Sequence, residues 1–185
     1  DEYALFEVDG LTVAVIGTVT EETSTLVTPD AVATIDFGDP VEAVNRVAAE
    51  LEGVADVIIA EFHEGADQGN AEQSTLEREV AKGGAFAEIV SETSPAVDVI
   101  FTGHTHAEYV WDAPVPGADT TRPIVQTGSY GERIGQVVLE LDATDGAVIS
   151  YKARNVSRIG GENAPTDAQL AEQYPRVAEV ASIVT

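Results

Sequence analysis

The sequence contains no cysteine and few cationic side chains. The absence of cysteine among 185 residues excludes disulfides, thiolate zinc sites and cysteine nucleophiles. Nine Lys and Arg stand against 33 Asp and Glu, which gives a net charge of −24. Because binding to duplex nucleic acid or anionic lipid depends on Lys and Arg, we expect no nucleic-acid polymer as a partner. For a substrate that carries phosphate, metal ions would have to supply the local positive charge.

Long apolar runs are also absent. No run approaches the roughly 20 residues that cross a bilayer, so no membrane span is predicted. The first six residues lack the basic and apolar regions of a signal peptide. With 44% apolar residues, the chain is long enough to form one globular domain with a substantial core.

Hydrophobic periodicity and turn residues predict an α/β protein with a mixed β-sheet. Strands 3–8 and 11–16 flank the turn Asp9-Gly10 and form a hairpin. A domain boundary is expected near Gly160-Gly161. The remaining predicted elements are a helix over 39–52, a strand over 56–62, a helix over 75–93 weakened in the middle by Gly83-Gly84, a strand over 97–102, a loop or short hairpin over 107–122, strands over 123–126, 136–142 and 147–155, and a helix over 166–184.

All three histidines follow predicted strands. His63 comes directly after the apolar run 56–62, and His104 and His106 belong to a Gly-His-Thr-His tetrapeptide after the run 97–102. Functional groups of βα proteins collect at the carboxyl ends of strands. Neutral imidazole is also the commonest metal ligand in proteins. The pattern therefore predicts a metal site at one edge of the sheet.

The histidines alone are compatible with two kinds of site. They could hold one zinc with an open water position, or supply half of a two-metal cluster. A His-Glu-x-x-His motif is absent because Gly65-Ala66-Asp67 follows Glu64, so zincin-type proteolysis is not supported. Gly-x-Ser-x-Gly, Walker A and Gly-x-Gly-x-x-Gly motifs are absent as well. The sequence Gly-Ser-Tyr-Gly at 128–131 indicates a glycine-lined turn, either a plain connection or a wall of the site.

Four segments occur in the order of a known family: 13–18, 56–65, 97–106 and 124–131. The chain resembles the C-terminal half of the catalytic domain of the 5′-nucleotidase family of calcineurin-like metallophosphoesterases, over about residues 3–155. The resemblance implies part of a four-layer α/β/β/α sandwich with mixed β-sheets. Residues 1–158 would belong to the catalytic domain. Residues 159–185 would form a linker and a helix leading to a C-terminal domain.

The resemblance also implies a dinuclear site. His63 and His104 would bind one divalent ion, such as Zn or Mn, and His106 would bind the second. Gly128 and Tyr130 would lie in substrate-binding loops around the site. The full-length enzyme would hydrolyse nucleotide phosphate monoesters through a metal-activated hydroxide. No catalytic residue is assigned within these 185 residues.

The family motifs Asp-x-His, Gly-Asp and Gly-Asn-His-Glu have no counterpart in this sequence. We therefore expect a fragment whose partners are the N-terminal half of the catalytic domain and a C-terminal nucleotidase domain. Alone, it should bind metal weakly, hydrolyse nothing and be prone to self-association through uncovered apolar surface. The resemblance implies a secreted or cell-envelope protein.

Two other functions remain open at this point. The same half of the family's catalytic domain is equally compatible with a 2′,3′-cyclic-nucleotide 2′-phosphodiesterase or 3′-nucleotidase. The third alternative is a non-catalytic metal-binding or interaction module.

Overall fold

The computed structural model of the chain describes residues 2–144, 146–158 and 164–184. Within these ranges there are eight strands: β1 (Tyr3–Val8), β2 (Leu11–Val19), β3 (Val57–His63), β4 (Val99–Thr102), β5 (Glu108–Pro114), β6 (Thr121–Thr127), β7 (Arg133–Leu141) and β8 (Val148–Ser157). The same ranges contain seven helices: α1 (Thr23–Leu26), α2 (Pro29–Val32), α3 (Pro40–Glu50), α4 (Leu76–Val80), α5 (Ala85–Glu92), α6 (Asp167–Gln173) and α7 (Pro175–Val184).

Six strands form one mixed sheet in the order β1-β2-β3-β4-β6-β5. The four central strands, β2, β3, β4 and β6, run parallel, while β1 and β5 lie antiparallel at the two edges. Strands β7 and β8 pair antiparallel as a separate two-stranded sheet. The predicted α/β class with a mixed sheet is confirmed. Because parallel strands end at the same edge, this topology brings the residues after β2, β3, β4 and β6 together.

Helices cover one face of the six-stranded sheet. Helix α3 begins as predicted: Asp39 caps it by accepting hydrogen bonds from the backbone N of Val41 and Glu42, and Pro40 occupies the first turn. Its apolar residues recur at helical spacing and are buried against alternate residues of β2 and β3. Burying each of these aliphatic side chains contributes about 1.5–3 kcal/mol. The hydrophobic core therefore lies between this helix layer and the sheet.

The β7–β8 hairpin packs on the opposite face near β6. A Cβ added at Gly135 would lie 3.1 Å from the Phe101 ring and 3.1 Å from the Thr127 methyl group, so glycine permits the close approach. The rest of this face is less covered, and Val19 at the end of β2 is 52% exposed. The described layers are therefore helices, mixed sheet and a second, two-stranded sheet.

The predicted helix over 75–93 is wrong as a single element. Gly83 and Gly84 both have φ of +76°, a left-handed conformation that ends α4 and precedes α5. The predicted tail helix is also two helices. Thr166 caps α6 in a capping box, but Tyr174 is extended because Pro175 follows it.

Residues 107–122 form a hairpin rather than a loop, since β5 pairs with β6 along its whole length. The short helices α1 and α2 were not predicted. The proposed boundary at Gly160-Gly161 lies outside the described residues. No helix in the described ranges has both the length and the apolar character needed to cross a membrane.

Arg122 is the largest fully buried side chain in the described part of the fold. Its guanidinium donates to the backbone carbonyl oxygens of Thr93, Ser94 and Val97 at 2.6–3.0 Å. These carbonyls follow α5 and lead into β4, so Arg122 fixes the helix-to-strand connection. Burial lowers the pKa of Arg122 to about 10, against the opposite effect of the Asp98 carboxylate.

Replacing Arg122 with methionine should destabilise the fold strongly. Arg122→Met removes the guanidinium from three carbonyls, of which, in the described part of the chain, only that of Ser94 keeps a backbone donor, the N of Val97, and we expect a cost of about 3 kcal/mol or more. Arg154→Met is the matched control, since Arg154 hydrogen-bonds the exposed Gln136 side chain and its loss should cost under about 0.5 kcal/mol. Urea unfolding of both variants measures the difference, and equal free energies of unfolding would contradict the role of Arg122.

The net charge of −24 should make stability depend on ionic strength. Repulsion among surface carboxylates destabilises the folded state, and salt shortens the Debye length from about 10 Å at 0.1 M to about 3 Å at 1 M. We expect the Tm to rise by about 4 °C or more over this range, equivalent to roughly 1–2 kcal/mol. NaCl and KCl should act equally, because screening depends on ionic strength. A Tm that is constant or falls with salt would contradict this explanation.

Candidate metal centre

The three histidines lie at one edge of the six-stranded sheet. His63 is the last residue of β3, and His104 and His106 follow β4, which ends at Thr102. The parallel pairing of Phe62 with Thr102 aligns the two strand ends. The predicted convergence of the histidine-bearing segments at the carboxyl edge is confirmed.

His63 and His104 form a pair. Their ring centroids are 5.2 Å apart with an interplanar angle of 60°. Two imidazoles bound to one tetrahedral ion, with metal–nitrogen distances of about 2.1 Å, hold their centroids roughly 5 Å apart. The spacing of this pair therefore fits two ligands of a single ion.

His106 lies apart from this pair. Its ring packs edge-on against Tyr130 at a centroid distance of 5.7 Å. In the described ranges, no three His, Asp or Glu side chains are arranged so that they could hold one ion. The described residues thus place two imidazoles in contact and a third against Tyr130, an arrangement that is not a complete single-ion site.

Both histidines of the tetrapeptide have left-handed backbone conformations. The φ angle is +68° at His104 and +61° at His106. Such conformations cost residues other than glycine about 1–3 kcal/mol and concentrate at functional sites. Tyr130, which contacts His106, shares this feature with φ of +57°. The loops on both sides of His106 are therefore held in unfavourable backbone geometry.

Acidic residues that the sequence reasoning did not assign also lie at this edge. Nε2 of His104 is 3.2 Å from Oε2 of Glu22, which precedes α1 in the connection after β2. Glu64 accepts from the Thr20 hydroxyl at 2.8 Å and from the backbone N of Gly65 at 2.9 Å. The only signal in the sequence is that Glu22 and Glu64 follow strands of the same parallel set.

The backbone of Glu64 connects the two histidine-bearing segments. Its carbonyl oxygen accepts a hydrogen bond from the backbone N of Gly103 at 3.1 Å. A Cβ at position 103 would lie 3.4 Å from Nδ1 of His63, which is van der Waals contact and shows that the two segments are packed side by side. This bond fixes the start of the tetrapeptide beside the end of β3.

Gly128 and Tyr130 lie in the turn between β6 and β7. The backbone N of Gly128 donates to the carbonyl of Ala107 at 2.9 Å, which joins this turn to the histidine loop. The Tyr130 side chain is 85% exposed although its ring contacts His106. The structure therefore places both residues beside His106, with an aromatic ring open to solvent.

A groove of about 880 Å³ begins at His63 and extends over the face of the sheet that the helices leave free. Glu61, Phe101 and Thr127 contribute to its sheet side, and Asp36 and Phe37 line it from the segment before α3. Carboxylates and apolar side chains thus line the groove that also contains His63.

No family model matches the chain, but several individual proteins are similar to it. The chain is 31% identical over 181 residues to endonuclease YhcR of Bacillus subtilis, covering 96% of this chain and 14% of that protein. It is 29% identical to a 5′-nucleotidase of Vibrio vulnificus, covering 80% of this chain and 29% of the relative. It is also 29% identical to cell wall protein Lmo0130 of Listeria monocytogenes, covering 84% of this chain and 20% of the relative.

Solved structures share the fold. The calcineurin-like phosphoesterase YfkN from Bacillus subtilis superposes with a TM-score of 0.63 at 23% identity, covering 96% of this chain and 56% of YfkN. The NAD nucleotidase NadN of Haemophilus influenzae gives a TM-score of 0.56 at 19% identity, covering 85% of this chain and 27% of NadN. The chain spans less than a third of each curated relative named above. The relatives named 5′-nucleotidase support the resemblance to the 5′-nucleotidase family of metallophosphoesterases, and the solved structures show the shared fold.

Proposed function

We propose that the chain supplies part of the metal centre of a phosphohydrolase that cleaves nucleotide phosphate monoesters. The observation that carries the proposal is the His63–His104 pair, whose 5.2 Å centroid distance fits two ligands of one ion. The relatives named 5′-nucleotidase support the nucleotide as substrate.

In this proposal His63 and His104 hold one divalent ion, Zn or Mn, and His106 holds a second. A bound pair of ions would polarise the phosphoryl group and supply a hydroxide nucleophile. The chain's own contribution is orientation. The bond from Gly103 to the Glu64 carbonyl keeps the tetrapeptide beside His63, while the left-handed turns at His104 and His106 direct the two rings to different neighbours.

The charge distribution supports the need for metal ions. A phosphate monoester is an anion, and this chain has a net charge of −24. Arg133, at the start of β7, is paired with Glu108 at 2.9 Å, so its charge is already matched. Bound divalent ions would offset the carboxylates around the histidines at the point where the phosphate binds.

Gly128 and Tyr130 are the proposed substrate-binding residues. An exposed aromatic ring beside a metal ligand offers a surface for the nucleoside part of the substrate. Gly128 has φ of +74° and a backbone bond to the histidine loop, so it sets the position of that ring relative to His106.

We also propose a secreted or cell-envelope location. The support is the similarity to a protein named as a cell wall protein in Listeria monocytogenes.

Metal titration of the 185-residue chain tests the ligand assignment. Calorimetry with Zn²⁺ should show that His104→Ala and His63→Ala each weaken binding by about tenfold or more, because each removes a ligand of the same ion. The control is Gln136→Ala on the exposed face of β7, which should bind as the unmodified chain does. Equal affinities for the His104→Ala variant and the unmodified chain would exclude His104 as a ligand.

Hydrolysis assays test the activity. We expect the full-length natural protein to release phosphate from AMP in the presence of Mn²⁺ or Zn²⁺. EDTA should abolish the reaction. His104→Ala should lower kcat/KM by about 100-fold or more, since one ion loses a ligand. The 185-residue chain alone should be inactive because its three histidines are an incomplete ligand set.

The substrate panel separates the alternatives. It should contain AMP, 2′,3′-cyclic AMP and, because one relative is an endonuclease, single-stranded DNA. Faster turnover of the cyclic nucleotide would identify a phosphodiesterase or 3′-nucleotidase, and cleavage of DNA would identify a nuclease. Metal binding without turnover of any substrate would identify a metal-binding module.

A further inference from the structure

We infer that Tyr109 is a positioning residue for the metal-binding loop, acting through a hydrogen-bonded chain that ends at Thr105, between the two histidines. This inference rests on the proposed function, because it assigns a role toward the same centre.

The Tyr109 hydroxyl contacts three residues, each at or just after the carboxyl end of a different strand: β3, β4 or β6. It accepts from the backbone N of Ala66, in the segment after β3, at 3.2 Å. It lies 2.6 Å from the hydroxyl of Thr102, the last residue of β4. It donates to Oε1 of Gln126, near the end of β6, at 3.1 Å. A phenol offers one donor and two acceptor sites, so these three partners saturate it.

The direction of the chain follows from Gln126. Its Oε1 accepts from Tyr109, and its Nε2 donates to the Thr105 hydroxyl at 2.8 Å. Tyr109 gives its single proton to Gln126, so the Thr102 proton is shared between the Tyr109 oxygen at 2.6 Å and the Val125 carbonyl oxygen at 3.1 Å. The chain of bonds therefore runs from the end of β4 through Tyr109 and Gln126 to the middle of the His-Thr-His segment.

Packing fixes the Tyr109 ring. The ring stacks on Trp111 at a centroid distance of 4.2 Å and an interplanar angle of 6°, and Phe86 of α5 packs against its edge at 5.8 Å. Tyr109 is fully buried, and Gln126 is only 1% exposed. Burial raises the pKa of Tyr109 to about 12, so the phenol keeps its proton and remains a donor in neutral and mildly alkaline solution.

Gly65 shows how closely the surrounding backbone packs against these hydrogen-bonded side chains. A Cβ at position 65 would lie 2.0 Å from Oε1 of Gln126, 2.8 Å from the carbonyl oxygen of Gly103 and 3.1 Å from the Tyr109 hydroxyl. Any side chain there would displace the network and the start of the tetrapeptide together. The network and the metal-binding loop are thus one packed unit.

The test uses two variants of the 185-residue chain and a matched control. Tyr109→Phe keeps the aromatic packing and removes the hydroxyl. Thr105→Val removes the hydrogen bond from Gln126 to Thr105 and leaves Tyr109 in place. It therefore tests the same hydrogen-bond network if Tyr109→Phe folds poorly. Tyr151→Phe is the control, because the Tyr151 hydroxyl also makes two hydrogen bonds, at 2.7 and 2.8 Å, with Thr121 and Asp112 toward the other end of β5 and β6.

Two measurements are needed. Without metal, amide hydrogen exchange over residues 103–107 should accelerate at least about tenfold in Tyr109→Phe and Thr105→Val and stay unchanged in Tyr151→Phe. With Zn²⁺, calorimetry should show about 10- to 100-fold weaker binding in the first two variants, the range found when groups that orient metal ligands are removed.

The outcomes separate this inference from the proposed function. Unchanged exchange over 103–107 in both test variants, or the same change in Tyr151→Phe, overturns the positioning role. If the unmodified chain takes up no Zn²⁺, the proposed metal centre fails, and the exchange measurement alone decides whether Tyr109 positions the loop. Zn²⁺ affinity equal to that of the unmodified chain in both test variants also overturns the role.

Discussion

The parallel register between β3 and β4 determines where the histidines lie. Phe62 pairs with Thr102, so the next residues, His63 and Gly103, come side by side at the sheet edge. A shift of one residue would turn every side chain of β3 to the opposite face, and His63 would point into the helix-covered core. Register is well specified here because the same strand buries Ile58, Ala60 and Phe62 under the helices. The core therefore fixes the position of the proposed metal ligand.

Several of the chain's few cationic side chains are used structurally. Arg122 is buried beneath the connection from α5 to β4. Lys82 pairs at 2.6 Å with Glu79, whose side chain is only 1% exposed. Burial raises the pKa of Glu79, but hydrogen bonds from Lys82, Ser74 and the backbone N of Gln68 outweigh it and leave the pKa lowered. Arg133 is also paired, with Glu108 at 2.9 Å, so these three cationic groups are already matched within the fold.

The sequence was sufficient to predict the elements with strong periodicity and the convergence of the histidines. Both depend on local pattern and on the rule that parallel strands end together. It could not predict the role of Tyr109, because Ala66, Thr102 and Gln126 are distant in sequence and meet only after the sheet forms. The glycine pair Gly83-Gly84 predicted a weakened helix but not its division into α4 and α5, since the pair does not specify left-handed backbone. The metal-ligand roles themselves remain predictions.

The left-handed turns at His104 and His106 explain how two histidines only two residues apart direct their rings to different neighbours. On a regular strand, residues two apart point to the same face, so both rings would compete for one point. Here the backbone turns at each histidine, and one ring approaches His63 while the other packs against Tyr130. Each turn costs about 1–3 kcal/mol, a strain that persists only where surrounding contacts over-determine it. The bonds from Gly103 to Glu64 and from Gln126 to Thr105 supply such contacts, so the strain that separates the two rings is maintained by the ends of the parallel strands.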